Sequence, residues 1–200
     1  MGHSFVVNQF NYRMNTPTTS TWKIDPGHSA IQFKVKHLAI ANVSGVFSVF
    51  SGTVQTAQDD FADAQVHVVI DAGSLGTNNE IRDTHLKSDI FFDVQQFPQL
   101  TFRGTLHKLS GEYALTGLLT IRGVAKQVSL ATVLTGTGKG RWGDIHAGFE
   151  LTGRINRTDF GLTWNMPTEL GGLLLGEDIQ LHMDIELIKE EAVVPAEATV

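Results

Sequence analysis

The sequence contains no cysteine, so disulfide bonds, thiolate metal centres and cysteine nucleophiles are all excluded. Basic residues are also scarce, because 15 Lys and Arg stand against 21 Asp and Glu, a formal net charge of −6. A nucleic-acid partner needs a broad basic surface for its phosphates, so we expect none. Prolines number only five, whereas there are 20 glycines. This balance favours a protein of many strands joined by tight turns.

Long hydrophobic runs are absent as well. No segment approaches the roughly 18 apolar residues needed to span a bilayer, so we expect no transmembrane segment and at most transient membrane contact. Residues 1–20 contain only the short Phe5–Val7 patch, where a secretory leader would carry a longer apolar stretch. We therefore expect a cytoplasmic protein, or a periplasmic one if a leader precedes this sequence.

The length of 200 residues favours a single domain. Residues 1–20 are polar and aperiodic, and residues 190–200 read as a tail, so we predict flexible segments at both ends. The predicted domain spans residues 21–189.

Apolar and polar residues alternate along much of this domain, which is the pattern of strands with one buried face. The alternating segments are residues 31–36, 64–71, 100–107, 145–155 and 179–187. Three further segments, Val43–Val54, Tyr113–Ile121 and Lys126–Leu134, bring the total to about eight strands. Turn signals such as Ser110-Gly111 and Arg122-Gly123 are short enough to make neighbouring strands antiparallel.

These strands predict an all-β fold, an eight-stranded antiparallel barrel, since closure removes exposed sheet edges. A barrel of this size is either filled by its own side chains or has room for one small ligand. Gly104, Gly117 and Gly153 fall on the apolar faces, where they would either leave space or allow the strands to bend. Both readings stay open from the pattern alone.

Seven motifs follow one another in a characteristic order. They are Trp22–Ser29 leading into Phe33 and Lys36-His37, Val43–Phe47 with Phe50–Gly52, Arg82–Leu86, Asp89–Asp93, Phe97–Phe102, Thr116–Val124 and Arg157–Leu162. In this order and spacing the chain strongly resembles the YceI-like family from about Trp22 to Ile188. The resemblance implies a lipocalin-like barrel whose apolar lumen binds polyisoprenoids or similar amphiphilic lipids, without catalysis.

On this basis we expect a carrier or storage protein for a long-chain lipid such as an isoprenoid pyrophosphate or a quinone precursor. Two alternatives remain: an enzyme acting on an isoprenoid intermediate, and a stress-related barrel with no ligand in its lumen. The residues expected to line the lumen are Phe33, Val35, Phe47, Phe102, Leu115, Phe149, Leu151, Leu181 and Met183. We expect a homodimer, and no cofactor apart from the bound lipid.

The lipid head group needs polar contacts at the barrel rim, for which Arg82, His85 and Arg157 are the candidates. Arg82 and His85 fall in residues 78–88, a predicted short helix between strands. Each arginine has an alternative role, namely pairing within its own segment. An apolar lip through which the lipid enters is predicted to contain Trp164, Met166, Leu173 and Leu174.

Asp25, His28 and Ser29 are the residue types of a hydrolase triad, but they lie within five positions and lack a Gly-x-Ser-x-Gly elbow. A turn in which Asp25 and Ser29 satisfy backbone groups is the favoured reading. None of the eight histidines forms His-x-His or His-x-x-x-His with a third ligand nearby, so we predict no metal site.

Overall fold

The structure, a computed structural model, describes residues 19–167 and 172–191. Its strands run from Ser20 to Lys189, within a residue of the predicted domain. The predicted terminal segments, residues 1–20 and 190–200, fall almost wholly outside the described residues.

The described residues form eleven strands and one α-helix. These are β1 (Ser20–Ile24), β2 (Ala30–His37), β3 (Ala41–Phe47), β4 (Phe50–Thr56), β5 (Ala64–Asp71), β6 (Leu75–Gly76), α1 (Glu80–Lys87), β7 (Gln99–Leu109), β8 (Glu112–Ile121), β9 (Val124–Lys139), β10 (Ile145–Asn156) and β11 (Leu175–Lys189). No helix in residues 19–167 and 172–191 is long and apolar enough to cross a bilayer.

The strands close into a barrel of eight long strands. Three of these long strands are each split in two by a short break. They follow one another around the ring in chain order: β1/β2, β3/β4, β5/β6, β7, β8, β9, β10 and β11. All the neighbouring pairs are antiparallel, and β11 completes the ring by pairing with both β1 and β2. The predicted eight-stranded antiparallel barrel is therefore confirmed.

One predicted strand, Val43–Val54, is wrong in detail because it is broken between β3 and β4. The break lies beside the break between β5 and β6, since Asp71 N donates to Val49 O at 2.9 Å and Ser48 N to Ser74 O at 3.4 Å. On one side of the two breaks β4 pairs with β5, and on the other side β3 pairs with β6. The wall of the barrel changes direction at the two adjoining breaks.

Two hairpins have the turns that their sequences predict. Ser110 and Gly111 have φ of +52° and +91°, and Arg122 and Gly123 have φ of +49° and +75°. Two-residue turns with positive φ match the right-handed twist of the flanking strands, and glycine adopts such angles without strain. Long strands β7, β8 and β9 are thus joined with minimal connections.

The two ends of the barrel differ. At one end the loop between β4 and β5 buries Phe61 completely, with its ring centroid 4.9 Å from Trp22 and 5.1 Å from Phe149. We call this the closed end. The other end, the mouth, contains α1 and the connections β2–β3, β8–β9 and β10–β11, because alternate connections of an antiparallel ring share an end.

Helix α1 lies inside the predicted range 78–88. Asn79 caps it, since the Asn79 side chain accepts a hydrogen bond from Arg82 N at 2.9 Å. The helix follows β6 along the chain and packs close to it. Residues of the helix form part of the mouth.

Candidate ligand-binding site

An apolar cavity of about 700 Å³ occupies the inside of the barrel. It runs from Leu106, Leu115 and Phe149 near the closed end to Ile81 and Leu174 at the mouth. Ile81 is 85% exposed although it lines the cavity, which locates the opening beside α1. The barrel is therefore hollow and blind, with its deep end sealed by Phe61.

Period-two alternation located the cavity wall correctly. All nine residues predicted to face the lumen line the cavity: Phe33, Val35, Phe47, Phe102, Leu115, Phe149, Leu151, Leu181 and Met183. Alternate residues of a strand point to opposite faces, so the apolar face of each strand is the inner one. Their contact with a ligand stays a prediction.

The glycines on the inner faces do not create the space. A methyl group added at Gly104 would come within 2.6 Å of the Phe102 ring, and one added at Gly45 within 2.7 Å of Phe33. Gly117 faces the backbone of Arg103 at similarly short range. Large neighbours and adjacent backbone fill these positions, so the glycines do not leave free space there and instead permit close approach in the barrel wall.

At the mouth, Arg82 and Asp83 both bind Thr77. Arg82 donates from Nε to Thr77 Oγ1 at 2.7 Å and from Nη2 to the Thr77 carbonyl at 2.8 Å. Asp83 accepts from Thr77 N at 2.9 Å and contacts the Thr77 hydroxyl. The arginine therefore has the structural role that the sequence left open, and it uses two of its donors within the protein.

Asp83 remains a carboxylate in this setting. Burial raises its pKa, but hydrogen bonds from the hydroxyl and backbone N–H of Thr77 outweigh that effect, and the net pKa lies below its usual value. The ionised Asp83 thus fixes α1 to the strand that precedes it.

His85, the second predicted rim residue, contacts aromatic rings. Its imidazole centroid lies 4.7 Å from Trp164 and 5.5 Å from Phe91, both edge-to-face. All three side chains line the cavity. They form an aromatic cluster between α1 and the β10–β11 connection.

Arg157 is buried, with 3% of its surface exposed. Its guanidinium donates to the carbonyls of Gly176 at 2.9 Å and Trp164 at 3.0 Å, and also contacts those of Leu162 and Leu175. Burial lowers the pKa of this guanidinium. These donors hold the β10–β11 connection together, while Arg157 also lines the cavity. Its contact with a lipid head group stays a prediction.

The residues of the predicted lip differ in their position relative to the cavity, and their role in lipid entry stays a prediction. Trp164 and Leu174 line the cavity, whereas Met166 and Leu173 do not and are about half exposed. Leu173 forms a bridge with Pro167, and Leu174 N donates to Met166 O at 2.9 Å. Pairing across this connection turns Leu174 inward and leaves Met166 and Leu173 outside. Residues 168–171 of this connection lie outside the described residues.

Sequence reasoning missed several residues of the site. Phe61, which seals the closed end, is the lone aromatic in a polar turn, and that contrast was the available signal. His37 and Asn79 add polar atoms to the mouth, but nothing in their spacing distinguishes them. The described lining contains no carboxylate, lysine or serine.

The chain matches the YceI-like domain family over residues 22–187. It belongs to the YceI-like family. A UPF0312 protein of Yersinia enterocolitica is 36% identical over 186 residues, which covers 92% of this chain and 94% of that protein. The order of motifs in the sequence had indicated the same family, and the match confirms it.

Solved structures show the same fold. The YceI protein of Campylobacter jejuni aligns with a TM-score of 0.67 at 34% identity, covering 79% of this chain and 91% of that one. A polyisoprenoid-binding domain from Saccharophagus degradans aligns with a TM-score of 0.58 at 17% identity, covering 84% and 98%. The second likeness is one of fold alone. This YceI-like chain therefore has the barrel architecture of its family.

Proposed function

We propose that this YceI-like protein binds and sequesters a long-chain amphiphilic lipid, a polyisoprenoid, as a carrier or storage protein. The observation that carries the proposal is the apolar cavity inside the barrel, with a mouth beside α1 and Phe61 buried at the other end. Such a space removes a hydrocarbon tail from water while leaving its polar head at the mouth. The barrel is not filled, which argues against a lumen without a ligand.

The size of the cavity suits a chain of intermediate length. An apolar cavity of about 150 Å³ holds benzene, so by proportion the space here holds on the order of 25 to 30 carbon atoms. About five isoprene units would fit inside, and a longer chain would project from the mouth. Each buried methylene contributes about 0.8 kcal/mol, so affinity should climb steeply until the cavity is full.

A neutral head group suits the mouth better than a pyrophosphate. Arg82 already uses Nε and Nη2 on Thr77, Arg157 is buried on backbone carbonyls, and the described lining contains no lysine. An anionic head group would therefore lose its water for few compensating donors. Of the two expected ligands, a quinone precursor fits this chemistry better than a prenyl pyrophosphate, and a prenol, which is also neutral, would fit for the same reason.

Binding without catalysis accounts for the polar residues better than an enzyme does. The described lining offers two imidazoles, His37 and His85, but no carboxylate to orient them and no serine or lysine to act with them. The Saccharophagus degradans domain of the same fold carries the name polyisoprenoid-binding, which favours the same assignment.

Exposed apolar side chains around the mouth support lipid exchange with a membrane. Ile81 is 85% exposed and Ile40 is 83% exposed. Ile40 belongs to the β2–β3 connection, where Leu38 N donates to the Leu174 carbonyl at 2.9 Å. An apolar rim next to an apolar cavity would let a lipid tail pass between bilayer and barrel with little exposure to water.

Native mass spectrometry of freshly purified protein, followed by organic extraction, tests the proposal. We expect an added mass that corresponds to one lipid per subunit. Prenols of increasing length, titrated into delipidated protein, should bind more tightly up to about five isoprene units and then level off. A flat series, or chemical turnover of the extracted lipid by the protein, would contradict the carrier assignment.

A further inference from the structure

A second cluster of chemically active residues lies outside the barrel wall, away from the cavity. It consists of two histidines and three carboxylates: Asp25, His28, Asp144, His146 and Glu186. They come from the turn between β1 and β2, from the start of β10 and from the second half of β11. Histidine spacing along the chain does not predict this cluster, because the fold brings its members together.

The contacts within the cluster are short. His28 Nδ1 lies 2.7 Å from Asp25 Oδ2, and His146 Nδ1 lies 2.7 Å from Glu186 Oε1. His146 Nε2 also contacts Asp144 Oδ2. Asp25, His28 and Glu186 each direct one ligand atom to a common region, and those atoms all lie within 4.8 Å of one another.

Backbone hydrogen bonds hold this group in place. Asp25 N donates to the Glu186 carbonyl at 2.8 Å, and Glu186 N donates to Ser29 Oγ at 2.9 Å. Asp25 Oδ1 accepts from Gly27 N at 2.9 Å, which leaves Oδ2 directed at His28. The turn reading of Asp25 and Ser29 is thereby confirmed, and the same turn presents Asp25 and His28 beside β11.

The cluster carries more negative charge than its histidines can balance. Three carboxylates face two imidazoles, so even with both rings protonated one negative charge remains. Within the described residues, Asp144 Oδ1 is buried and has no hydrogen-bond partner. The excess of carboxylate over imidazole would favour a further cation in the cluster.

We propose that Asp25, His28 and Glu186 form a binding site for a first-row divalent cation such as zinc. Imidazole and carboxylate together suit zinc, whereas calcium and magnesium prefer oxygen ligands alone. Tetrahedral zinc with bonds of about 2.0–2.2 Å needs ligand atoms roughly 3.3–3.6 Å apart, so small side-chain rotations suffice. The His28 side chain is 70% exposed and free to make that adjustment.

The location gives the site a consequence for the fold. β11 is the last strand and β1/β2 the first, so the ion would bridge the two ends of the sheet where they meet. It would therefore stabilise barrel closure. The site is independent of the cavity, and neither proposal requires the other.

Isothermal titration of the full chain with zinc chloride, after treatment with a chelator, tests the site. We expect one zinc ion per chain, a rise in melting temperature on binding, and at least tenfold weaker binding by His28→Ala. His28 is the suitable residue to change because its side chain is 70% exposed, so its loss should disturb the fold little.

His182→Ala provides the matched control. His182 also lies near two carboxylates, 3.4 Å from Asp184 and 4.0 Å from Glu150, but is outside the proposed site. We expect its zinc binding and zinc-induced stabilisation to equal those of the wild type. Equal zinc affinity in His28→Ala and wild type, no stoichiometric binding by wild type, or equally tight binding of magnesium would each overturn the proposal.

Discussion

Single side chains determine how much of the barrel is open. Gly104 and Gly45 are covered by Phe102 and Phe33, so two bulky rings lie flat against the wall where glycine lets them. The remaining inner positions carry mostly aliphatic and aromatic side chains, which leave the cavity between them. The free volume is therefore a property of residue sizes, and one substitution can reduce it.

Val128→Trp is expected to weaken binding of a five-unit prenol. Val128 lines the cavity on β9, and tryptophan there would take the place of about three methylene groups, or about 2 kcal/mol, which is roughly thirtyfold in Kd. Gln127→Trp, the exposed neighbour on the outer face, is the control. The measurement is Kd by fluorescence titration, with melting temperatures to verify folding. Unchanged affinity in a folded Val128→Trp protein would argue against a lipid in the lumen.

At the scale of elements, α1 is held to the barrel by its polar residues more than by a buried face. None of its residues is fully buried, and Ile81 points to solvent at the mouth. Asp83 and Arg82 instead bind Thr77, at the end of the preceding strand. The helix therefore depends on a few hydrogen bonds, and its stability should depend on pH.

Asp83→Asn is expected to destabilise the protein at pH 7 by about 1.5–3 kcal/mol, the value of a hydrogen bond to a charged group. The folded-state pKa of Asp83 lies below its usual value of 3.8. Its contribution is therefore present above pH 3.8 and is lost as the pH falls through the folded-state pKa. Urea unfolding at pH 7 and pH 3 measures this, and the difference between wild type and variant should shrink at pH 3.

Asp89→Asn is the control for that experiment, because Asp89 is an exposed carboxylate just after α1, in the connection between α1 and β7. It should have little effect at either pH. A difference between Asp83→Asn and wild type that stays constant from pH 7 to pH 3 would show that the charge of Asp83 contributes nothing.

The elements also show where prediction from sequence works and where it ends. Strand alternation identified the inner faces because that pattern is local, and the helix was found from its spacing and its cap. The role of Arg157 could not be found, since its carbonyl partners are brought together by the folded β10–β11 connection. Asp25 and Glu186 stand 161 positions apart, so only the strand register places them side by side.

For the whole molecule, the contrast between mouth and closed end would make the proposed lipid exchange directional. We expect Ile40→Ser to slow lipid transfer from vesicles severalfold while leaving the Kd for a prenol in solution unchanged. The reason is that Ile40 is 83% exposed near the mouth and does not line the cavity. Stopped-flow transfer of a fluorescent prenol measures the rate.

Leu109→Ser is the matched variant at the other end of the barrel, where Leu109 is 71% exposed beside the β7–β8 turn. Its transfer rate should match that of the wild type. Equal slowing by both variants would assign the effect to general surface hydrophobicity instead of to the mouth.

The homodimer expected from the sequence stays a prediction, which native mass spectrometry checks by measuring the mass of the intact assembly.

The seal formed by Phe61 against Trp22 and Phe149 has a kinetic consequence. A cavity that is closed at one end has a single route for entry and exit. An incoming lipid therefore cannot displace a bound lipid through the closed end. The end of the lipid that enters the cavity first must leave it last, and the bound lipid must leave before a second lipid can enter. The rate of lipid exchange should therefore equal the dissociation rate of the bound lipid and should not depend on the concentration of the competing lipid.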